Sequence, residues 1–143
     1  IGAAMGTSTL AMLEARPDAF VFSIDVDDCP METEALEQSS VEDWRERYRF
    51  AKGNSHEEIG KSWCPRSVDF VFVDGDHSYI GAYEDGRVWY ENLKDGGYIA
   101  FHDYGADMLP AVKPAVDDIA AKLGLEFVEH VGKMIVFRKV ESK

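Results

Sequence analysis

The sequence predicts an α/β fold: an open, doubly wound, mostly parallel sheet closed by a C-terminal antiparallel hairpin. Three observations predict it. Short apolar runs alternate with helical stretches five times along the chain, the pattern of a sheet with helices on both faces. Residues 68–73 lack polar alternation after Asp69, as a central strand covered on both faces should. Near the end, residues 125–131 and 134–140 flank Gly132-Lys133, which reads as a hairpin.

At 143 residues the chain is one domain's worth, long enough to bury a core of its own. Lys and Arg number 15 against 27 Asp and Glu, for a net charge of −12. That balance repels phosphate backbones and anionic lipid surfaces, so nucleic acid is not an expected partner. No apolar run reaches the ~18–20 residues of a membrane span, and no basic-then-apolar leader is present. The two cysteines, Cys29 and Cys64, lack CxxC spacing, which fits reduced thiols in a cytoplasmic protein. The chain starts at Ile1, directly on a glycine turn, and reads as lacking its natural N-terminal segment.

Taken in order, residues 1–6 resemble the tail of a strand. Gly2, Gly6, Thr7 and Ser8 then form a small-residue turn into a helix through Leu10, Leu13 and Ala15, stopped by Pro17. Glycine permits positive φ and close ligand approach, and free N–H groups at a helix start attract negative charge. Thr7 and Ser8 serve equally well as plain helix caps. An apolar run, 19–24, ends in Asp25, which lies 19 residues beyond Gly6. In dinucleotide-type folds an acid at about that spacing bonds a ribose hydroxyl. Asp27 and Asp28 follow at once and compete for the role.

Residues 29–40 are polar and poorly periodic, a loop or irregular helix. Ser39 and Glu42 have capping-box spacing for a short helix through Trp44. Residues 48–52 read as a strand, 53–55 as its break, and 55–63 as helical. Asn54 and Ser55 suit a purine edge or simply a turn. The strand at 68–73 stops in Asp74-Gly75-Asp76-His77. A helix over 79–93 is halted by Lys94-Asp95-Gly96-Gly97, and the next strand, 98–103, ends in His102-Asp103. A last helix is expected from Pro114 to Gly124.

Ligands in such sheets lie at the carboxyl ends of the strands. There the sequence places Gly2 to Ser8, Asp25, Gly53 to Ser55, Asp74 to His77, and His102 with Asp103, read as one site. Carboxylates and imidazoles at neighbouring strand ends suit a hard cation such as Mg²⁺, with Asp74 and Asp103 as ligands. Asp76 is either a third ligand or a cap of the following helix. His102 points away from Asp103 if the strand is regular, and is as readily a buried, hydrogen-bonded residue. His77, just past a strand end, is placed to act as a general base toward a hydroxyl. His56 and His130 receive no role. Trp44, Trp63, Trp89, Phe20, Phe22, Phe70 and Phe72 read as core rather than stacking partners.

These blocks, namely Ile-Gly-x-x-x-Gly-Thr-Ser-Thr at 1–9, Ser-Ile-Asp at 23–25, Gly-Asn-Ser at 53–55, Phe-Val-Asp-Gly-Asp-His-Ser-Tyr at 72–79, Lys-Asp-Gly-Gly-Tyr at 94–98 and Phe-His-Asp-Tyr at 101–104, resemble a class I S-adenosylmethionine-dependent methyltransferase. The similarity is greatest to the subgroup with Asp-Gly-x-His after the fourth strand, which includes small-molecule and sugar O-methyltransferases. The resemblance implies a Rossmann-like, seven-stranded sheet with a reversed final strand. It implies that Gly2 and Gly6 approach the methionine part of the cofactor, that Asp25 holds the ribose, and that Asn54 and Ser55 lie near adenine. It gives Asp74 a place at the cofactor and on Mg²⁺, Asp103 the second metal position, and His77 the base. His102 stands where metal-binding relatives often carry another acid. A small-molecule acceptor is the implied partner, and homo-oligomerisation is left open.

Two other classes compete. A nicotinamide-dependent oxidoreductase would use Asp25 too, but the turn is Gly-x-x-x-Gly rather than Gly-x-Gly-x-x-Gly, and no Tyr-x-x-x-Lys pair follows. A non-catalytic cofactor-binding module is the third.

Overall fold

A computed structural model describes residues 1–63 and 66–141, with the backbone alone at Glu58. Cys64 therefore lies outside the described residues, while Cys29 is a free thiol. The chain divides into two compact units, Ile1–Ser55 and His56–Lys143.

In the first unit, helix α1 (Thr7–Ala15) leads to strand β1 (Val21–Asp25), helix α2 (Pro30–Glu37), the single turn α3 (Trp44–Arg47) and strand β2 (Tyr48–Lys52). The two strands pair in parallel, Val21 opposite Tyr48 through Asp25 opposite Lys52. Leu13, Val21, Leu36, Val41, Trp44 and Tyr48 form the core. The expected strand at 1–6 is absent, and these residues make an irregular turn. The Gly2 amide nevertheless donates to Ile24 O at the end of β1, which ties the turn to that strand.

Residues 29–40 are more ordered than their polarity suggests, because Pro30 opens a helix that buries Leu36 and Glu32 completely. Ser39 does not begin a capping box. Its hydroxyl donates to Leu36 O and accepts from Val41 N, so it closes α2 instead. Phe20, expected in the core, is exposed, with the Arg49 guanidinium 5.7 Å from its ring centroid.

The second unit begins with the rest of a π-helical turn (Ser55–Ile59) and a short helix α4 (Gly60–Ser62). Strand β3 (Val68–Val73), helix α5 (Tyr79–Asn92), strand β4 (Leu93–Phe101), helix α6 (Val112–Leu123) and strands β5 (Glu126–Val131) and β6 (Met134–Arg138) follow. The sheet order is β3-β4-β6-β5, with β3 and β4 parallel and the β5–β6 hairpin antiparallel. The mixed sheet matches the expected class. β3, however, is an edge strand of this sheet and not a central one, and Phe70 on it is 42% exposed.

Helix α5 starts at Ser78, whose hydroxyl accepts the Gly81 amide. It packs Val88 and Trp89 inward. Trp63 lies 5.6 Å from the Trp89 ring, as a core aromatic pair should. β4 begins at Leu93, five residues before the expected start, and takes Gly96 at φ 77 and Gly97 into its length. A side chain at Gly97 would press on Lys94 O and Asp69 O at 2.9 and 3.0 Å. α6 begins two residues before Pro114, which then occupies the first turn, where its missing N–H costs nothing. Past β6, Lys139 is 3% exposed and its Nζ donates to Tyr90 O and Leu93 O. Burial holds its pKa below the ordinary lysine value, against the pull of Asp95. Among the described residues no helix is long and apolar enough to cross a membrane.

Candidate functional site

In the first unit the glycine turn is organised by one carboxylate. Asp25 Oδ2 accepts the amides of Ala3 at 2.9 Å and Ala4 at 3.3 Å, and Oδ1 accepts the amide of Asp27 at 3.1 Å. Burial works against its charged form, but the amides of Asp27, Ala4 and Ala3 and the Cys29 thiol outweigh it and hold the carboxyl below its usual value. The same proximity pushes the Cys29 thiol up to about 11, through burial and then the Asp25 charge. Of the three competing acids, Asp25 alone turns back onto the glycines. Asp28 instead pairs with Lys52 at 2.7 Å on the surface, and Asp27 is exposed.

Gly2 and Gly6 both take φ 79, the left-handed region that glycine enters without penalty. Gly6 is the N-cap of α1 and has no side chain to bond the amides of the first turn, where Thr7 and Ser8 lie. A Cβ at Gly6 would meet Glu32 Cα at 2.8 Å, so the turn rests directly on α2. Asn54 is half-buried and Ser55 is buried, just past the end of β2.

Sequence reasoning missed Glu32. It is fully buried, with Oε1 accepting from Thr9 Oγ1 at 2.5 Å and Ser23 Oγ at 2.7 Å, and Oε2 from Tyr48 OH at 2.6 Å. Its place in a polar, aperiodic stretch hid it. The available signal was Thr9, Ser23 and Tyr48, three hydroxyls at otherwise apolar positions of α1, β1 and β2.

The second unit gathers the other candidates. β3 delivers Asp74, the following turn His77, and the end of β4 His102 and Asp103. The His77 Nε2 lies 3.1 Å from Asp103 Oδ2 and 3.5 Å from Asp74 Oδ1. The His102 Nδ1 lies 3.3 Å from Asp103 Oδ2 and 3.4 Å from Asp74 Oδ1. Both imidazole nitrogens are shielded from solvent, yet neither makes a hydrogen bond among the described residues. Asp74, His77 and His102, with Asp76, Ala82 and Phe101, line a shallow hollow.

The expected divergence of His102 and Asp103 does not occur. The strand ends at Phe101, and Asp103 takes φ 55, so strand alternation no longer separates the two side chains. Asp76 stays outside the cluster of ligand atoms. Its Oδ1 accepts the Ser78 amide, and the helix cap is Ser78 itself. Asp74, His102 and Asp103 each offer one donor atom within 4.8 Å of the others. Two carboxylate oxygens and an imidazole nitrogen fit a divalent cation, and the solvent-shielded, unbonded Nδ1 is the kind of atom that a metal satisfies.

His56 lies 3.1 Å from the buried Asp85, and His130 packs edge-on to Tyr104 at 5.2 Å.

Comparison with known proteins identifies the family. A family model described as a methyltransferase domain matches residues 1–104, from the glycine turn through Asp103. An uncharacterized protein of Acanthamoeba polyphaga mimivirus is 39% identical over 62 residues, which cover 40% of this chain and 28% of that protein. The fold is similar to that of an O-methyltransferase family 2 protein from Planctomyces limnophilus, solved in complex with apigenin. The TM-score is 0.71 at 18% identity, over 96% of this chain and 48% of that one. A SAM-dependent methyltransferase structure from Methanosarcina mazei gives a TM-score of 0.68 at 12% identity, over 97% of this chain and 91% of that one. The chain thus spans under a third of the viral relative and about half of the Planctomyces enzyme. The solved structures speak for the fold, and the family match covers most of the sequence: the chain belongs to the methyltransferase-domain family.

Proposed function

We propose that the protein transfers the methyl group of S-adenosylmethionine to a hydroxyl of a small-molecule acceptor, with a divalent cation held at Asp74 and Asp103. The observation that carries this reading is the match of a methyltransferase-domain family to residues 1–104, which includes every residue named below. The apigenin bound to the Planctomyces enzyme supports a small hydroxylated acceptor.

In this reading the glycine turn at Gly2 and Gly6, the uncapped first turn at Thr7 and Ser8, and Asp25 hold the donor. Asn54 and Ser55 serve its adenine, and Asp74 is assigned to the cation. Both lone pairs of Asp25 Oδ2 accept the turn amides and one of Oδ1 accepts the Asp27 amide, so a ribose hydroxyl would be met by the remaining lone pair of Oδ1. The acceptor oxygen forms its bond to the methyl carbon as the carbon–sulfur bond breaks, and the electron pair stays on sulfur. His77 takes the hydroxyl proton at Nε2, and the Asp103 carboxylate, whose Oδ2 lies 3.1 Å from that nitrogen, stabilises the imidazolium that results. A bound divalent cation would lower the acceptor hydroxyl's pKa. The protein's main work is to position two reactants in line.

Calorimetric titration with S-adenosylhomocysteine and with NAD, followed by transfer of labelled methyl to a panel of phenols and sugars, tests the reading. Saturable binding of S-adenosylhomocysteine and labelled product are expected. Tight NAD binding with no response to S-adenosylhomocysteine would overturn it.

A further inference from the structure

The Asp74 cluster carries more than a generic cation site. An all-oxygen set is what Mg²⁺ favours, since it is hard, demands octahedral geometry and parts reluctantly with water. Imidazole nitrogen instead suits first-row transition ions, whose affinity for mixed nitrogen and oxygen donors rises along the Irving–Williams order. Here two carboxylates are joined by His102 Nδ1, which lies 3.3 and 3.4 Å from their nearer oxygens. A surface histidine beside aspartates would normally hydrogen-bond one of them or water. This nitrogen is buried and bonds to nothing among the described residues, although its ring as a whole is 39% exposed. The imidazole is thus turned so that its donor atom faces the carboxylates from inside the cluster. Two features hold it there: the His102 amide donates to Val73 O, next to Asp74, and the Phe72 ring lies 6.0 Å from the imidazole.

We propose that Asp74 Oδ1, His102 Nδ1 and Asp103 Oδ2 form a ligand set selective for a first-row transition dication over Mg²⁺, with His77 left outside it as the proton acceptor. The inference specifies the metal of the methyl-transfer reading, and its metal-binding evidence needs neither donor nor acceptor. His102 is the determinant of selectivity. The two aspartates supply charge without discriminating between Mg²⁺ and its transition-metal competitors.

The test is equilibrium dialysis and visible absorption of the metal-stripped full chain titrated with Co²⁺, then challenged with Mg²⁺. One Co²⁺ per chain is expected, with a d–d band that Mg²⁺ in about hundredfold excess leaves in place. His102→Ala should weaken Co²⁺ binding about tenfold or more. His102→Asp should keep a site but let Mg²⁺ displace Co²⁺. His77→Ala should leave the Co²⁺ spectrum unchanged. The proposal fails if Mg²⁺ displaces Co²⁺ from the unaltered protein, if His102→Ala binds as before, or if His77→Ala abolishes the band. Circular dichroism of each variant separates lost ligation from lost fold. Co²⁺ binding together with no response to S-adenosylhomocysteine would sink the methyl-transfer reading while leaving this site standing.

Discussion

Tyr48 donates its hydroxyl to Glu32 Oε2 at 2.6 Å, and both residues are buried beneath the glycine turn. Burial, then the hydrogen bond and charge of Glu32, hold the phenol far above its ordinary pKa, so it remains a donor at any working pH. Glu32→Ala would open a cavity and strand the Tyr48 hydroxyl, leaving those of Thr9 and Ser23 with only their 2.9 Å bond to each other. At about 1–3 kcal/mol for a stranded buried partner, a loss of about 3 kcal/mol or more is expected. Tyr48→Phe removes one bond and should cost about 1–2 kcal/mol. Urea unfolding of the three proteins measures both.

Gly6 is constrained by conformation and by space. Gly6→Ala places a Cβ at φ 79 and 2.8 Å from the Glu32 backbone. The strain alone costs on the order of 1 kcal/mol, and relieving the clash must move the turn away from α2. Donor affinity should fall more steeply than global stability, a contrast that titration with S-adenosylhomocysteine beside thermal melting would expose.

The Asp25 carboxyl is held low in the folded state. Its stabilisation of the turn is therefore fully present above the unfolded value of about 3.9 and is lost as pH falls through the lower folded value. Protection of the Ala3 and Ala4 amides from hydrogen exchange should be level from neutral pH to about 5 and drop below about 4. In Asp25→Asn that acid-dependent drop should disappear, because nothing at the position titrates.

His77→Gln removes the proposed proton acceptor and keeps a polar side chain. Methyl transfer should fall about a hundredfold or more, with the donor KM little changed. Equal losses in kcat and donor affinity would instead assign His77 to binding.

Legibility followed periodicity and spacing. The order of strands and helices and the final hairpin could be read because apolar runs and glycine stops are local signals. Asp25 stood out by its distance from Gly6, and the structure turns it back onto that same turn. What escaped depends on backbone geometry or on contacts far apart in sequence. His102 joined Asp74 only because the chain leaves the strand at Phe101 and Asp103 adopts positive φ, which no alternation rule anticipates. Glu32 was hidden because its helix buries a carboxylate where a pattern search expects an apolar side chain. Phe20 and Phe70 erred the other way, as apolar residues that stay exposed.

Lys139 adds a constraint on the order of assembly. The last carbonyls of a helix are normally satisfied near to hand, by a glycine turn or by water. In α5 the terminal Tyr90 carbonyl, together with that of Leu93 just beyond, waits for an ammonium 49 and 46 residues further on. The end of α5 therefore completes its bonding only when the C-terminal strand is seated beside β4, and chains still emerging without residue 139 carry that helix end open to water.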